Sequence, residues 1–120
     1  MDAIHVCLNV SDADRLADWY VAELDLERTW EFTSGDTRNV YVADGNGFEL
    51  QLSDTEGESP DPGTAWDHIA YAVDDVDAAF EAIDNHGVVQ PPADNDAAGA
   101  RTAFVEDPDG HVVELVEPMD

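Results

Sequence analysis

Lysine is absent from the 120-residue chain, and only four arginines, Arg15, Arg28, Arg38 and Arg101, stand against 29 acidic residues, a formal net charge of −25. A surface of that sign repels phosphate, which argues against nucleic acid or an anionic membrane as partner. Cysteine is nearly absent too: Cys7 stands alone, so no disulfide can close within the chain. There is no long apolar run, lipidation motif or signal peptide, so a soluble cytoplasmic protein is expected. Charge so one-sided raises disorder as a reading. A hydrophobic content of 43%, arranged in clear alternation, argues for a packed core instead. The acidity then reads as a hydrated surface suited to a salt-accumulating halophile. At about 1 M salt the Debye length is ~3 Å, and exposed carboxylates barely repel one another.

Ile4 to Val10 alternates with a period of two, with Ile4, Val6, Leu8 and Val10 on one face and His5, Cys7 and Asn9 on the other. Ser11, Asp12 and Asp14 supply helix-start chemistry, and Leu16, Tyr20 and Leu24 follow at helical spacing with Trp19 beside them. Glu27 to Phe32 and Asn39 to Ala43 read as strands. A turn at Asp44 to Gly47 leads into Phe48 to Ser53, where Glu49, Gln51 and Ser53 lie opposite Phe48, Leu50 and Leu52. Residues 55–65 are acidic and rich in Pro, Gly and Ser, and form the expected linker between a first module at 1–54 and a second at 66–120.

The pattern then restarts. Trp66 to Val73 is a strand with His68, Ala70 and Ala72 opposite Ile69, Tyr71 and Val73. A helix opening at Asp74 and Asp75 is expected to close on Gly87 after His86. Pro91 to Gly99 reads as a loop, and Arg101 to Glu106 as a strand. Asp107-Pro-Asp-Gly110 is turn chemistry and feeds the last strand, in which Val112, Glu114 and Val116 oppose Val113 and Leu115. The chain is therefore strand, helix and three strands, written twice.

Histidine lies on the first strand of each half (His5, His68) and glutamate on the last (Glu49, Glu114), each opposite the aliphatic row. A single strand glutamate or histidine usually just faces water. Four at corresponding places in a repeat point to a divalent cation, and imidazole plus carboxylate suits Ni, Co, Zn, Fe or Mn. His86, ending a helix, and His111, following a turn, are expected to be structural. Cys7 and Asn9 share the histidine face and are expected to line the pocket.

Two segments carry a family resemblance: Trp66-Asp-His-Ile-Ala-Tyr-Ala-Val73, and Phe104 to Glu117 with its Glu-Asp-Pro-Asp-Gly turn. Over nearly its whole length the chain resembles glyoxalase I (lactoylglutathione lyase) of the vicinal oxygen chelate superfamily. The resemblance implies an α+β fold of tandem βαβββ modules, one vicinal oxygen chelate domain whose two sheets form a metal-binding cup. It implies His5, Glu49, His68 and Glu114 as ligands of one divalent metal, with nickel or cobalt preferred and zinc, manganese or iron as alternatives. It also implies a homodimer in which two chains share each site. Glutamate at position 49 separates the chain from relatives that carry glutamine there or use only two histidines and one glutamate.

The implied reaction is that of a carbon–sulfur lyase. Methylglyoxal, a 2-oxoaldehyde, and a small thiol combine into a hemithioacetal. Glu114 abstracts the proton next to the carbonyl, giving a metal-bound enediolate that is reprotonated to a 2-hydroxyacyl (lactoyl) thioester. Glu49 is the second candidate catalytic carboxylate, for the opposite stereoisomer. Cys7, Asn9, Gln51, Ser53 and Arg101 are the expected substrate contacts. Glutathione-using members carry arginine where Asn9 stands and asparagine where Ser53 stands, so the thiol stays open. Two other functions fit the scaffold: a metal-dependent epimerase of a 2-substituted acyl-CoA, and a non-catalytic small-molecule-binding protein.

Overall fold

The computed structural model describes residues 5–61 and 67–119. Ile4, Trp66 and part of the expected linker lie outside the described residues. The first unit, residues 1–61, contains β1 (His5–Asn9), α1 (Ala13–Leu24), β2 (Glu27–Ser34), β3 (Thr37–Ala43) and β4 (Glu49–Thr55). Its mixed sheet has the order β1-β4-β3-β2, with β1 parallel to β4 because the chain crosses over through α1. The second unit, residues 62–120, repeats the plan with β5 (Ile69–Ala72), α2 (Val76–Ala82), β6 (Val88–Asn95), β7 (Ala100–Glu106) and β8 (Val112–Pro118), in the order β5-β8-β7-β6. Both halves are α+β, each a four-stranded mixed sheet with one helix.

Each helix is tied to its own sheet in the same way. Asp12 and Asp75 cap α1 and α2, accepting from the backbone N–H of Arg15 and Ala78 at 3.1 Å each. A carboxylate at the end of the last strand takes the first helical N–H: Ala13 donates to Asp54 at 3.1 Å and Val76 to Glu117 at 2.8 Å. The apolar stripe of α1 (Ala13, Leu16, Ala17, Tyr20) is buried, as are Leu8, Val40, Val42, Leu50 and Leu52 of its sheet. Each fully buried Leu or Val contributes roughly 1.5–3 kcal/mol. In the second unit the corresponding core is Val76, Ala103, Val105, Val113 and Leu115. One face of each sheet is thus committed to its helix, and the period of two sends the polar residues of β1, β4 and β8 to the other.

Two expectations are corrected. The α2 helix ends at Ala82, and Ile83 leaves it in extended backbone with ψ 134°, so Gly87 is not its C-terminal residue. Gly87 instead lies against the Glu106 side chain, in space a Cβ would occupy. The segment read as a loop from Pro91 is largely the edge strand β6. Its pairing with β7 skips between Val88 and Gln90 and again between Gln90 and Ala93, a stretch that includes Pro91 and Pro92. Proline has no N–H for a ladder, and an irregular edge strand is where a sheet tolerates it.

The Asp107–Gly110 turn joins β7 to β8, with Gly110 at φ 89° and its N–H donating to Asp107 O at 3.0 Å. Asp107 is fully buried; its side chain accepts from the N–H groups of Asp109 and His111 at 2.9 Å and meets His111 Nδ1 at 2.8 Å. His111 is therefore a structural residue of the turn.

Candidate active site

In the first unit His5 and Glu49 are direct register partners across the parallel β1–β4 pair, so their side chains leave the same face side by side. Tyr41 and His5 meet in a T-shaped contact, with centroids 5.9 Å apart and ring planes at 90°. Burial, aided by the nearby Cys7 and Glu49, pushes the Tyr41 phenol above its ordinary range. Trp30 stacks on Tyr41 at 4.5 Å and on Phe32 at 5.1 Å, giving this face an aromatic wall whose outer members are exposed. The Glu49 carboxylate accepts from the Thr29 hydroxyl at 2.5 Å.

In the second unit His68 Nε2 lies 3.0 Å from Glu114 Oε1, and its Nδ1 lies 2.5 Å from Asp67. Phe104 and His68 meet in a T-shaped contact at 5.3 Å and 87°, as Tyr41 and His5 do. Glu114 retains 15% of its side-chain exposure. A neutral imidazole has one N–H, so an Asp67 carboxylate at one nitrogen leaves a lone pair at the other, aimed at a second carboxylate. Two acceptors converging in this way call for a proton or a cation between them. A histidine held at Nδ1 by a carboxylate is also the arrangement that orients metal-ligating imidazoles. The donor chemistry fits a divalent cation. Among the described residues, no three His, Cys, Asp or Glu side chains gather within a group that could hold a metal ion. Each unit instead offers one imidazole and one carboxylate.

The repeat runs at a constant offset of 63: His5 answers His68, Tyr41 answers Phe104, Asp12 answers Asp75 and Asp54 answers Glu117. The glutamates break it. Tyr41 pairs with Gln51 and Phe104 with Glu114, so the counterpart of Glu114 is Gln51, while Glu49 corresponds to Val112. The two carboxylates do not occupy equivalent places, which corrects the simple repeat reading.

Among the expected substrate contacts, Cys7 and Asn9 are exposed beside His5 on β1. Gln51 and Ser53 share the face, and each donates to Asn39 Oδ1, Gln51 at 2.9 Å. Arg101 is not brought to His68 and Glu114. It lies one residue out of phase with Thr102 and Phe104, and is clamped by Asp77 of α2 at 2.8 and 2.9 Å and by Asp94 at 3.0 Å. Arg38 makes the same clamp in the first unit with Asp14 and Glu31. Thr29, Asp67, Tyr41 and Phe104 were not anticipated. The fixed offset alone would have found the aromatic pair.

Residues 3–115 match the Glyoxalase/Bleomycin resistance protein/Dioxygenase superfamily, and the chain belongs to it. Among named relatives, the lactoylglutathione lyase of Salmonella typhimurium is 35% identical over 128 residues, covering 100% of this chain and 95% of that protein. Glyoxalase I from Zea mays has a TM-score of 0.85 at 25% identity over 98% of this chain, which spans only 44% of the maize chain. TnmS3, an antibiotic binding protein from Streptomyces sp. CB03234, has a TM-score of 0.78 at 26% identity, covering 98% of this chain and 96% of its own.

Proposed function

We propose that the chain is a glyoxalase I-type lyase that isomerises the hemithioacetal of a 2-oxoaldehyde and a small thiol to a 2-hydroxyacyl thioester. The observation that carries this is one imidazole beside one carboxylate in each unit, His5 in register with Glu49 and His68 Nε2 3.0 Å from Glu114 Oε1. Full-length similarity to proteins named lactoylglutathione lyase supports it. His5, Glu49, His68 and Glu114 would hold one divalent cation, nickel or cobalt by preference. When bound, that cation supplies Lewis-acid stabilisation for the negative charge that develops on the substrate oxygens.

Glu114 acts as the base. It takes the proton from the carbon bearing the sulfur and returns it to the former carbonyl carbon, so no atom is gained or lost. Val112 and Val116 flank it along β8, and Phe104 pairs with it from β7, an apolar setting that limits water at the moment of transfer. Asp67 holds His68 in one orientation. The aromatic wall of Trp30, Phe32 and Tyr41 takes the apolar part of the adduct.

That same exposed wall, together with the similarity to TnmS3, favours a second reading, the binding of a planar small molecule without turnover. Thioester formation from methylglyoxal with a panel of thiols separates the two. Turnover with at least one thiol is expected. Its absence with every thiol, in nickel- or cobalt-loaded protein, contradicts the lyase reading, and epimerisation of a 2-substituted acyl-CoA would replace it with the related isomerase.

A further inference from the structure

The two carboxylates of the site differ in what surrounds them. On the edge strand β2, Arg28 pairs with Val42 and Trp30 with Tyr41, so Thr29 is the extra residue of a bulge. A bulge frees one residue from the ladder and re-aims its side chain. Thr29 uses that freedom to reach across β3 and donate its hydroxyl to Glu49 Oε2 at 2.5 Å. The residue of β3 in register with Glu49 is Ala43, whose methyl group leaves the path open. In the second unit the offset of 63 places Pro92 where Thr29 stands, and proline has no hydroxyl to offer. The asymmetry therefore extends to the neighbours of the two glutamates.

We propose that Thr29 is a positioning residue: it pins Oε2 of Glu49 and so presents Oε1 to the cation. Glu49 is then the carboxylate fixed by a hydroxyl, and Glu114, which meets His68 instead, the one that carries the proton. The inference rests on the metal-dependent reading above. It assigns a role to a bulge that packing alone does not require, since Thr29 is exposed. Partners of this kind, one bond removed from a metal, commonly change affinity by about 10- to 100-fold when lost.

The test uses full-length parent, Thr29→Val and Thr29→Ser, each stripped of metal and titrated with cobalt(II) by calorimetry, with the visible absorption bands of the loaded protein recorded. Thr29→Val is expected to bind cobalt about tenfold more weakly and to shift the bands. Thr29→Ser, which keeps the hydroxyl, is expected to restore both, and the metal-free melting temperatures should agree. A Val variant with the parent's affinity and bands overturns the inference while leaving the lyase reading standing. A loss that Ser does not rescue also overturns it, because the methyl group rather than the hydroxyl would be responsible. A parent that takes up no cobalt overturns the metal site itself, and the role of Thr29 with it.

Discussion

Gln51 stands in the first sheet at the register position that Glu114 holds in the second. Each pairs across its hairpin with an aromatic residue, Tyr41 or Phe104, that makes a T-shaped contact with the histidine of its own unit. Glu49 lies two residues earlier on its strand, opposite His5, whereas Glu114 lies opposite Ala70. The carboxylates therefore hold different places in their own sheets, and their substitution should have different consequences.

Glu114→Gln should lower kcat by about 10²- to 10⁴-fold while metal affinity falls far less, because an amide oxygen still ligates but takes up no proton. Glu49→Ala, which leaves no oxygen to ligate, should weaken metal binding more than Glu114→Gln does. Steady-state kinetics beside metal titration on both variants checks this. Near-parental turnover by Glu114→Gln would remove it as the base.

The Arg38 and Arg28 guanidiniums hold the Asp14 carboxyl below its ordinary 3.8, and Arg101 does the same for Asp77. A carboxylate depressed in the folded state adds stability above its unfolded pKa and loses it as pH falls through its folded one. Melting temperature should therefore decline as pH drops below about 4, and Asp14→Ala should flatten part of that decline. The effect is small, because the pairs are solvent-exposed. An identical acid profile for the variant would show that the clamp contributes nothing.

With 29 acidic side chains and four basic ones, self-repulsion should destabilise the fold in dilute buffer. Thermal unfolding from low to molar potassium chloride should show a large rise in midpoint. A flat response would contradict the halophilic reading of the composition.

A site shared between two chains predicts complementation. His5→Ala and Glu114→Gln proteins, each inactive, are unfolded, mixed equally and refolded together. Random pairing makes about half the dimers mixed, each with one intact site, so roughly a quarter of parental activity should return. Heterodimers verified by mass yet as inactive as their parents would contradict a shared site.

Much of the fold was legible because a period of two and helix-capping residues are local signals. His5, Cys7 and Asn9 do face away from the buried Leu8 and Val10, and Asp12 and Asp75 do cap their helices. The edge strand β6 was hidden by Pro91 and Pro92, because tertiary pairing tolerates at an irregular edge what local propensity forbids. Arg101 is near the late loop in sequence, which says nothing of the face it occupies. Counting from Phe104 would have put it out of phase with the His68 face. Thr29 and Asp67 act through a bulge and a side-chain contact that no periodicity encodes.

A metal-dependent lyase with one cation per site makes a stoichiometric demand, read by titrating nickel into metal-stripped protein while following thioester formation from methylglyoxal and a thiol that the protein accepts. Activity should rise from near zero and break sharply at one metal per chain, and His68→Ala should show neither the break nor the activity. Full turnover by the stripped protein, or stoichiometric nickel uptake with no turnover, would contradict it.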